Sequence, residues 1–229
     1  MMKTVLFVCT SCHRGGSAGE DAAGMWFDEF ADACRVFHDA GYRVATASPV
    51  GGGIPIAPGS GFSDAAAPGD PLLRSSTPLE RIDPHAFEAL FYPGGPGPMW
   101  DLVNDNCNAM LLGAFFACGK VVGAVCHGPA ALLRSRRRDG YPVIHERRMT
   151  GISDAEALSE GMEPHLPFSL EHRLRSGGAY YSRREPGVEY VVTDGNLVTG
   201  QNHASAGATA AMMVELMHPA EIARRKIRA

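Results

Sequence analysis

The 229-residue chain is 45% hydrophobic and 20% charged, with a formal net charge of -4; its length suits one compact domain with a full core. The slight acidity removes any general electrostatic case for nucleic acid, and no run approaches the roughly 20 apolar residues of a membrane span. The opening MMKTVLFVCTSCH lacks a long apolar region and a cleavage site, so a cytoplasmic protein is expected, in which the 6 cysteines stay thiols rather than disulfides.

The first predicted element is the unbroken apolar run Thr4-Val5-Leu6-Phe7-Val8, which suits a strand buried on both faces of a parallel sheet. A glycine-rich stretch from Ser11 to Gly24 follows. Trp26, Phe30, Ala33 and Phe37 then recur at helical spacing, with a stop signal at Gly41. Arg43 to Ala47 reads as a second strand, which gives a βαβ opening. Residues 49 to 78 are rich in Pro, Gly and Ser and read as a long surface excursion within the domain spanning 1–229. Ala89 to Tyr92 is a third strand closed by Pro93-Gly94-Gly95, and a helix is expected from about Met99 to Ala117. Lys120 to Val125 is a fourth strand, and Gly128 to Leu133 opens the next helix. A hairpin near 141 to 150, a helix near 168 to 176 and a strand at 188 to 193 come after it. Asp194-Gly195 turns into Leu197-Val198-Thr199, and a last helix covers about 204 to 217. Strands alternating with helices predict an α/β fold: a flavodoxin-like, doubly wound, mostly parallel sheet with helices on both faces.

The segment from Val121 to Ala131 carries the chemical signal. A buried strand ends at Val125, and one residue later a helix is expected. A side chain at such a corner stands above the carboxyl edge of the sheet, where open α/β folds bind ligands. Ala124 and Gly128 supply the small neighbours that a tight turn needs. This is a nucleophile elbow with the sulfur of Cys126 in place of a serine oxygen. A helix N-terminus beside it would favour the thiolate. The plain alternative is a buried cysteine packing as a small hydrophobe. The strand, the small residues and His127 together weigh against it.

AVCHGPAAL, at 124 to 132, resembles the elbow of the ThiJ/PfpI superfamily, within the class I glutamine amidotransferase-like fold. AGMWFDEFADACRVFHDAGYRVATASPVGG resembles a pattern of its glyoxalase III-like, chaperone-associated branch. FYPGGPGPMWDL resembles the branch's PGGHGxMWDL, and LVTGQNHASA its LxTGQNPxS. The resemblance implies that Glu29, five residues after Gly24, lies against the cysteine sulfur, keeps a proton there and moves protons between substrate carbons. It also implies that His127 serves as a base or proton donor. An acidic partner for that histidine is expected in Gly151-Ile152-Ser153-Asp154-Ala155-Glu156, with Glu156 first and Asp154 second. Gly94 and Gly95 match the loop whose N–H groups face the substrate oxygen, and the Cys126–His127 backbone is expected to add a donor. Two departures stand out: Pro96 where the branch has histidine, and His203 where TGQNP has proline.

The implied activity is glutathione-independent conversion of a small reactive aldehyde, methylglyoxal to lactate or a related deglycation, with no metal or cofactor. A cysteine amidase, peptidase or hydratase of the same fold is the alternative reaction. A redox-sensing or holdase chaperone is the alternative without turnover. The expected partners are a small carbonyl substrate and a second copy of the chain, with neither nucleic acid nor membrane.

Other signals are weaker. Cys9-Thr10-Ser11-Cys12-His13 matches a haem-attachment spacing, but no export signal precedes it. His218-Pro219-Ala220-Glu221 lies past the last helix and has one residue too many for an amidotransferase His-x-Glu pair. The clusters Arg134 to Arg138 and Arg224 to Arg228 read as solvated C-terminal turns of helices.

Overall fold

The structure is a computed structural model that describes residues 2–15, 23–61 and 70–218. In chain order its main elements begin with β1 (Thr4–Val8), α1 (Phe27–Asp39), β2 (Arg43–Ser48), α2 (Pro71–Arg74), β3 (Thr77–Pro78), β4 (Ala89–Tyr92) and α3 (Asn106–Ala117). They continue with β5 (Val121–Val125), β6 (Arg148–Met149), α4 (Asp154–Ser159), α5 (Leu170–Ser176) and β7 (Tyr180–Tyr181), and end with β8 (Val191–Asp194), β9 (Leu197–Gly200) and α6 (Ala206–Met217). Short 3-10 turns join several of them.

Seven strands form one sheet in the order β3-β2-β1-β4-β5-β9-β8. All neighbours are parallel except the β8–β9 hairpin. The chain leaves β1 for β2 on one side and returns to β4 on the other, so the order reverses between β1 and β4. That crevice is where doubly wound sheets place their sites. β1, β4 and β5 are buried almost throughout, which accounts for their unbroken apolar sequences. α1 and α6 pack together beside β5 and β9, while α3 contacts β4 and β5 with a different set of neighbours. Phe7 anchors the core under α1, edge-on to Phe30 at 5.4 Å and tilted against Phe91 at 4.8 Å.

Four expectations change. The helix expected from Met99 starts at Asn106, because Asp105 caps it by accepting from Asn108 N–H at 2.7 Å. Residues 97–104 form two 3-10 turns instead. The helix expected to open at Gly128 is a five-residue 3-10 turn that ends at Leu132. The hairpin near 141–150 is absent: β6 pairs in parallel with β7, and Glu146 takes a left-handed φ of 59° just before it. Finally, Arg134 to Arg138 follow no α-helix, whereas Arg224 to Arg228, like Pro219 to Glu221, lie outside the described residues.

The described parts of the 49–78 excursion are tied down. Met25 N–H donates to Pro55 and Ala57 N–H to Met25, and the excursion ends as edge strand β3. Pro78 is tolerated there because an edge strand can spare a donor.

Candidate active site

Cys126 stands at the carboxyl end of β5 with a φ of 57°. A non-glycine residue held in this region stores strain, and only an over-determined backbone keeps it there. Both sides of the corner are fixed. Cys126 N–H donates to Gly200 at 3.0 Å, and Cys126 carbonyl accepts from Ile152 N–H at 2.8 Å. A Cβ on Gly128 would come within 2.5 Å of the Tyr92 carbonyl. The elbow therefore depends on glycine two residues past the cysteine.

Glu29 reaches the same point from α1. It lies on the buried stripe with Phe30, Ala33 and Phe37, at 0% exposure. Its Oε2 accepts from Gly94 N–H at 2.6 Å, and Oε1 has no oxygen or nitrogen partner among the described residues. The Cys126 thiol is the polar group beside this carboxyl. Gly94 makes the approach feasible: a Cβ there would lie 2.6 Å from both Cys126 Cβ and Glu29 Oε2.

Burial governs protonation here. It pushes the Glu29 carboxyl up to about 8, against the opposing pull of Gly94 N–H and Cys126. Burial also raises the Cys126 thiol well above its ordinary range, and the negative charge of Glu29 raises it further. At neutral pH both groups hold their protons. The expected helix N-terminus beside the sulfur is corrected, since a five-residue 3-10 turn follows Cys126, and burial against a carboxyl favours the thiol over the thiolate. His127 Nδ1 sits 3.2 Å from Cys126 Sγ, and burial lowers its pKa to about 4, so it is neutral. Its Nε2 has no hydrogen-bond partner among the described residues.

The structure brings Cys126, His127, Glu29, Gly94 and Gly95 together and leaves Glu156 elsewhere. Glu156 Oε1 accepts from Gly187 N–H and Asn202 Nδ2, and Oε2 accepts from Gln201 Nε2, each at 2.8 Å. None of these bonds reaches His127, so Glu156 anchors the Gly200-Gln201-Asn202 turn instead. Asp154 accepts from Ser169 Oγ at the exposed start of α4. Three of the expected oxyanion donors are engaged: Gly94 N–H on Glu29, Gly95 N–H on the Cys126 sulfur, and Cys126 N–H on Gly200.

Glu160 lies outside every motif reading, and His203 is one of the two motif departures. The negative charge of Glu160 raises the pKa of both Cys126 and Glu29, and His203 offsets Glu160 itself. His203 stacks on Trp26 with ring centroids 6.4 Å apart. Trp26 in turn donates its backbone N–H to Gly94 at 3.0 Å. The helix carrying Glu160 at its C-cap is itself foreshadowed by Ser153-x-x-Glu156, a capping-box spacing in which Ser153 Oγ accepts from Glu156 N–H.

A model of the DJ-1/PfpI family matches residues 24–218. Glutamine amidotransferase-like class 1 domain-containing protein 1 of Bos taurus is 37% identical over 131 residues, 57% of this chain and 60% of that relative. The match thus spans about three fifths of the relative's length. Glyoxalase 3 of Candida albicans is 26% identical over 233 residues, 91% of this chain and 96% of the relative. The crystal structure of glyoxalase III from that organism superposes with a TM-score of 0.82, covering 94% of this chain and 97% of the other. That of the 24 kDa rapid encystment protein of Francisella tularensis gives a TM-score of 0.89 at 32% identity, covering 94% and 99%.

Proposed function

The chain belongs to the DJ-1/PfpI family, and from that membership we propose that it is a glyoxalase III-type enzyme converting a small 2-oxoaldehyde, methylglyoxal foremost, to the 2-hydroxy acid. The observation that carries this reading is the Glu29 carboxyl, fully buried against the Cys126 thiol and bonded to Gly94 N–H. A buried acid of pKa about 8 beside a nucleophile suits a reaction whose essence is moving one proton between adjacent carbons.

The reactive form is the pair that has lost one proton. The Cys126 sulfur adds to the aldehyde carbon, and the carbonyl oxygen takes the proton of Glu29 to give a hemithioacetal. The Glu29 carboxylate then removes the hydrogen of that carbon as a proton, leaving an enediolate. Glu29 returns this proton to the neighbouring carbon, while neutral His127 carries the hydroxyl proton from one oxygen to the other. The product is a 2-hydroxy thioester. Water cleaves it to lactate and restores the thiol. Pro96 replaces the histidine of the branch pattern, so proton carriage falls to Glu29 and His127.

The geometry supports the rivals less. An amidase needs free oxyanion donors, and the N–H groups of Gly94 and Cys126 are taken. A redox sensor needs an exposed, low-pKa thiolate, and Cys126 is 7% exposed with its pKa raised. Incubation with methylglyoxal in the absence of glutathione tests the proposal, with lactate as the readout. Lactate is expected from the wild type, with a loss of about 10³-fold or more in Cys126→Ser. A folded wild type that makes no lactate refutes it.

A further inference from the structure

At the opposite end of β5 from Cys126, four guanidinium groups meet in one concave surface. A cavity of about 610 Å³ is lined by Phe116 of α3, Val143, Arg136, Arg137, Arg138 and Arg147. Arg147 Nη1 bonds to Asn196 Oδ1 at 3.3 Å, and Asn196 Nδ2 donates to the Lys120 carbonyl just before β5. The length of β5 separates this cleft from the cysteine by on the order of 15 Å.

The chain as a whole carries an excess of four acidic charges, so the cluster is not a by-product of composition. It is not helix capping either. No α-helix precedes Arg134 to Arg138, and Arg136 instead bridges to Pro142. The last carbonyls of α3 are already taken by backbone: Ala114 by Cys118 N–H, Phe115 by Lys120 N–H and Phe116 by Gly119 N–H.

Arg147 is half-buried, with its guanidinium 4.9 Å above the Phe116 ring and Nη1 3.1 Å from the Asp194 carbonyl oxygen. These contacts hold the guanidinium in place, yet no acceptor among them is a carboxylate. The Asp194 carboxylate accepts from Arg148 N–H and Nε. Asp139 pairs with Arg137 at 3.2 Å, and Arg136 and Arg138 are exposed without an ion pair among the described residues. Burial lowers the pKa of Arg147, Asp194 opposes this, and the like charge of Arg137 adds to the lowering. Cations that repel one another in a concavity are stabilised by an anion, and guanidinium forks match phosphate oxygens in pairs.

We propose that this cleft binds a small anion carrying a chain of phosphate groups, held by Arg136, Arg138 and Arg147. The cations gather in a pocket rather than along a stripe, which favours a compact ligand over a nucleic acid strand. The site stands independently of the activity assigned to Cys126.

Calorimetric titration of the full chain at low ionic strength tests it, with sodium tripolyphosphate as one probe and ATP as another. One-to-one binding is expected, weakened about tenfold or lost in the double variant Arg136→Gln/Arg138→Gln. Arg35→Gln, on α1, should leave it unchanged. Equal affinity for the two probes assigns the site to the phosphate chain alone, and tighter ATP binding assigns it to a nucleotide. The proposal is overturned if folded wild type binds neither, if the double variant binds as well as wild type, or if Arg35→Gln weakens binding equally. Binding of a single-stranded oligonucleotide with neither small anion also overturns it.

Discussion

The two ends of β5 handle charge in opposite ways. At the carboxyl end Cys126, His127 and Glu29 are 7%, 1% and 0% exposed, and burial strips them of charge: the acid rises to about 8 and the imidazole falls to about 4. At the amino end Arg136 and Arg138 stay in water, where a guanidinium keeps its charge. A chemical centre can thus be assembled from neutral groups that exchange protons. A binding cleft is built from permanent charges gathered in one concavity. Burial and residue type together decide which kind of site each end becomes.

The sharpest way to break this contrast is to remove the buried acid. Glu29→Gln should lower lactate formation about 10²- to 10³-fold. It should also change stability against pH in a defined direction. In the unfolded chain Glu29 ionises above 4.5, whereas in the fold it keeps its proton to about 8. Folding therefore retains a proton over that window, and stability falls as pH rises through it, by about 1.4 kcal/mol per unit. His127 acts on the acid side: lowered from 6.5 to about 4, it lets stability fall as pH drops through that interval. The two slopes oppose each other between 4.5 and 6.5, and only Glu29 acts between 6.5 and about 8. Urea unfolding at pH 5, 7 and 8 should give a wild type that weakens above 6.5 and a Glu29→Gln variant that does not. An identical decline in both would remove burial as the controlling term.

Gly94→Ala should come next, costing about 2–3 kcal/mol in urea unfolding. Its new methyl meets the Cβ of Cys126 on fixed backbone and the Glu29 carboxyl at once. A mutant of wild-type stability would show that the two arms of the site are not pressed together as described.

Glu156→Gln should cost about 1–3 kcal/mol, since one of the three donors it satisfies loses its acceptor. The pH profile of lactate formation should keep its shape. A displaced limb in that profile would instead assign Glu156 to a relay with His127. The smallest effect belongs to Arg136→Gln/Arg138→Gln, which should change unfolding by no more than about 0.5 kcal/mol and leave lactate formation intact. Coupled losses there would end the separation between the two ends of β5.

Much of this architecture is legible along the chain. The runs Val5–Val8, Ala89–Tyr92 and Val121–Val125 announce doubly buried strands because apolar and polar residues do not alternate through them. The elbow and Glu29 are legible as motif. The first turn after Cys126 is less legible, because Gly128-Pro129 starts a 3-10 turn as readily as an α-helix. The parallel pairing of β6 with β7 is a contact between residues 148 and 180, and local pattern holds no information about a partner that distant.

What the residues alone determined is the mostly parallel sheet alternating with helices and the candidate pair Cys126 and Glu29, since each rests on local periodicity or a short contiguous motif. Tertiary structure decided the rest. It gave Glu156 to Gln201 and Asn202 rather than to His127, turned the N–H groups of Gly94 and Gly95 inward, and set the protonation of Cys126 and Glu29. It also gathered Arg136 and Arg147 over Phe116. The physical reason is common to all of these. Hydrogen-bond ownership, desolvation and the summing of charge depend on which atoms meet across the fold, and those meetings join residues that are far apart in sequence.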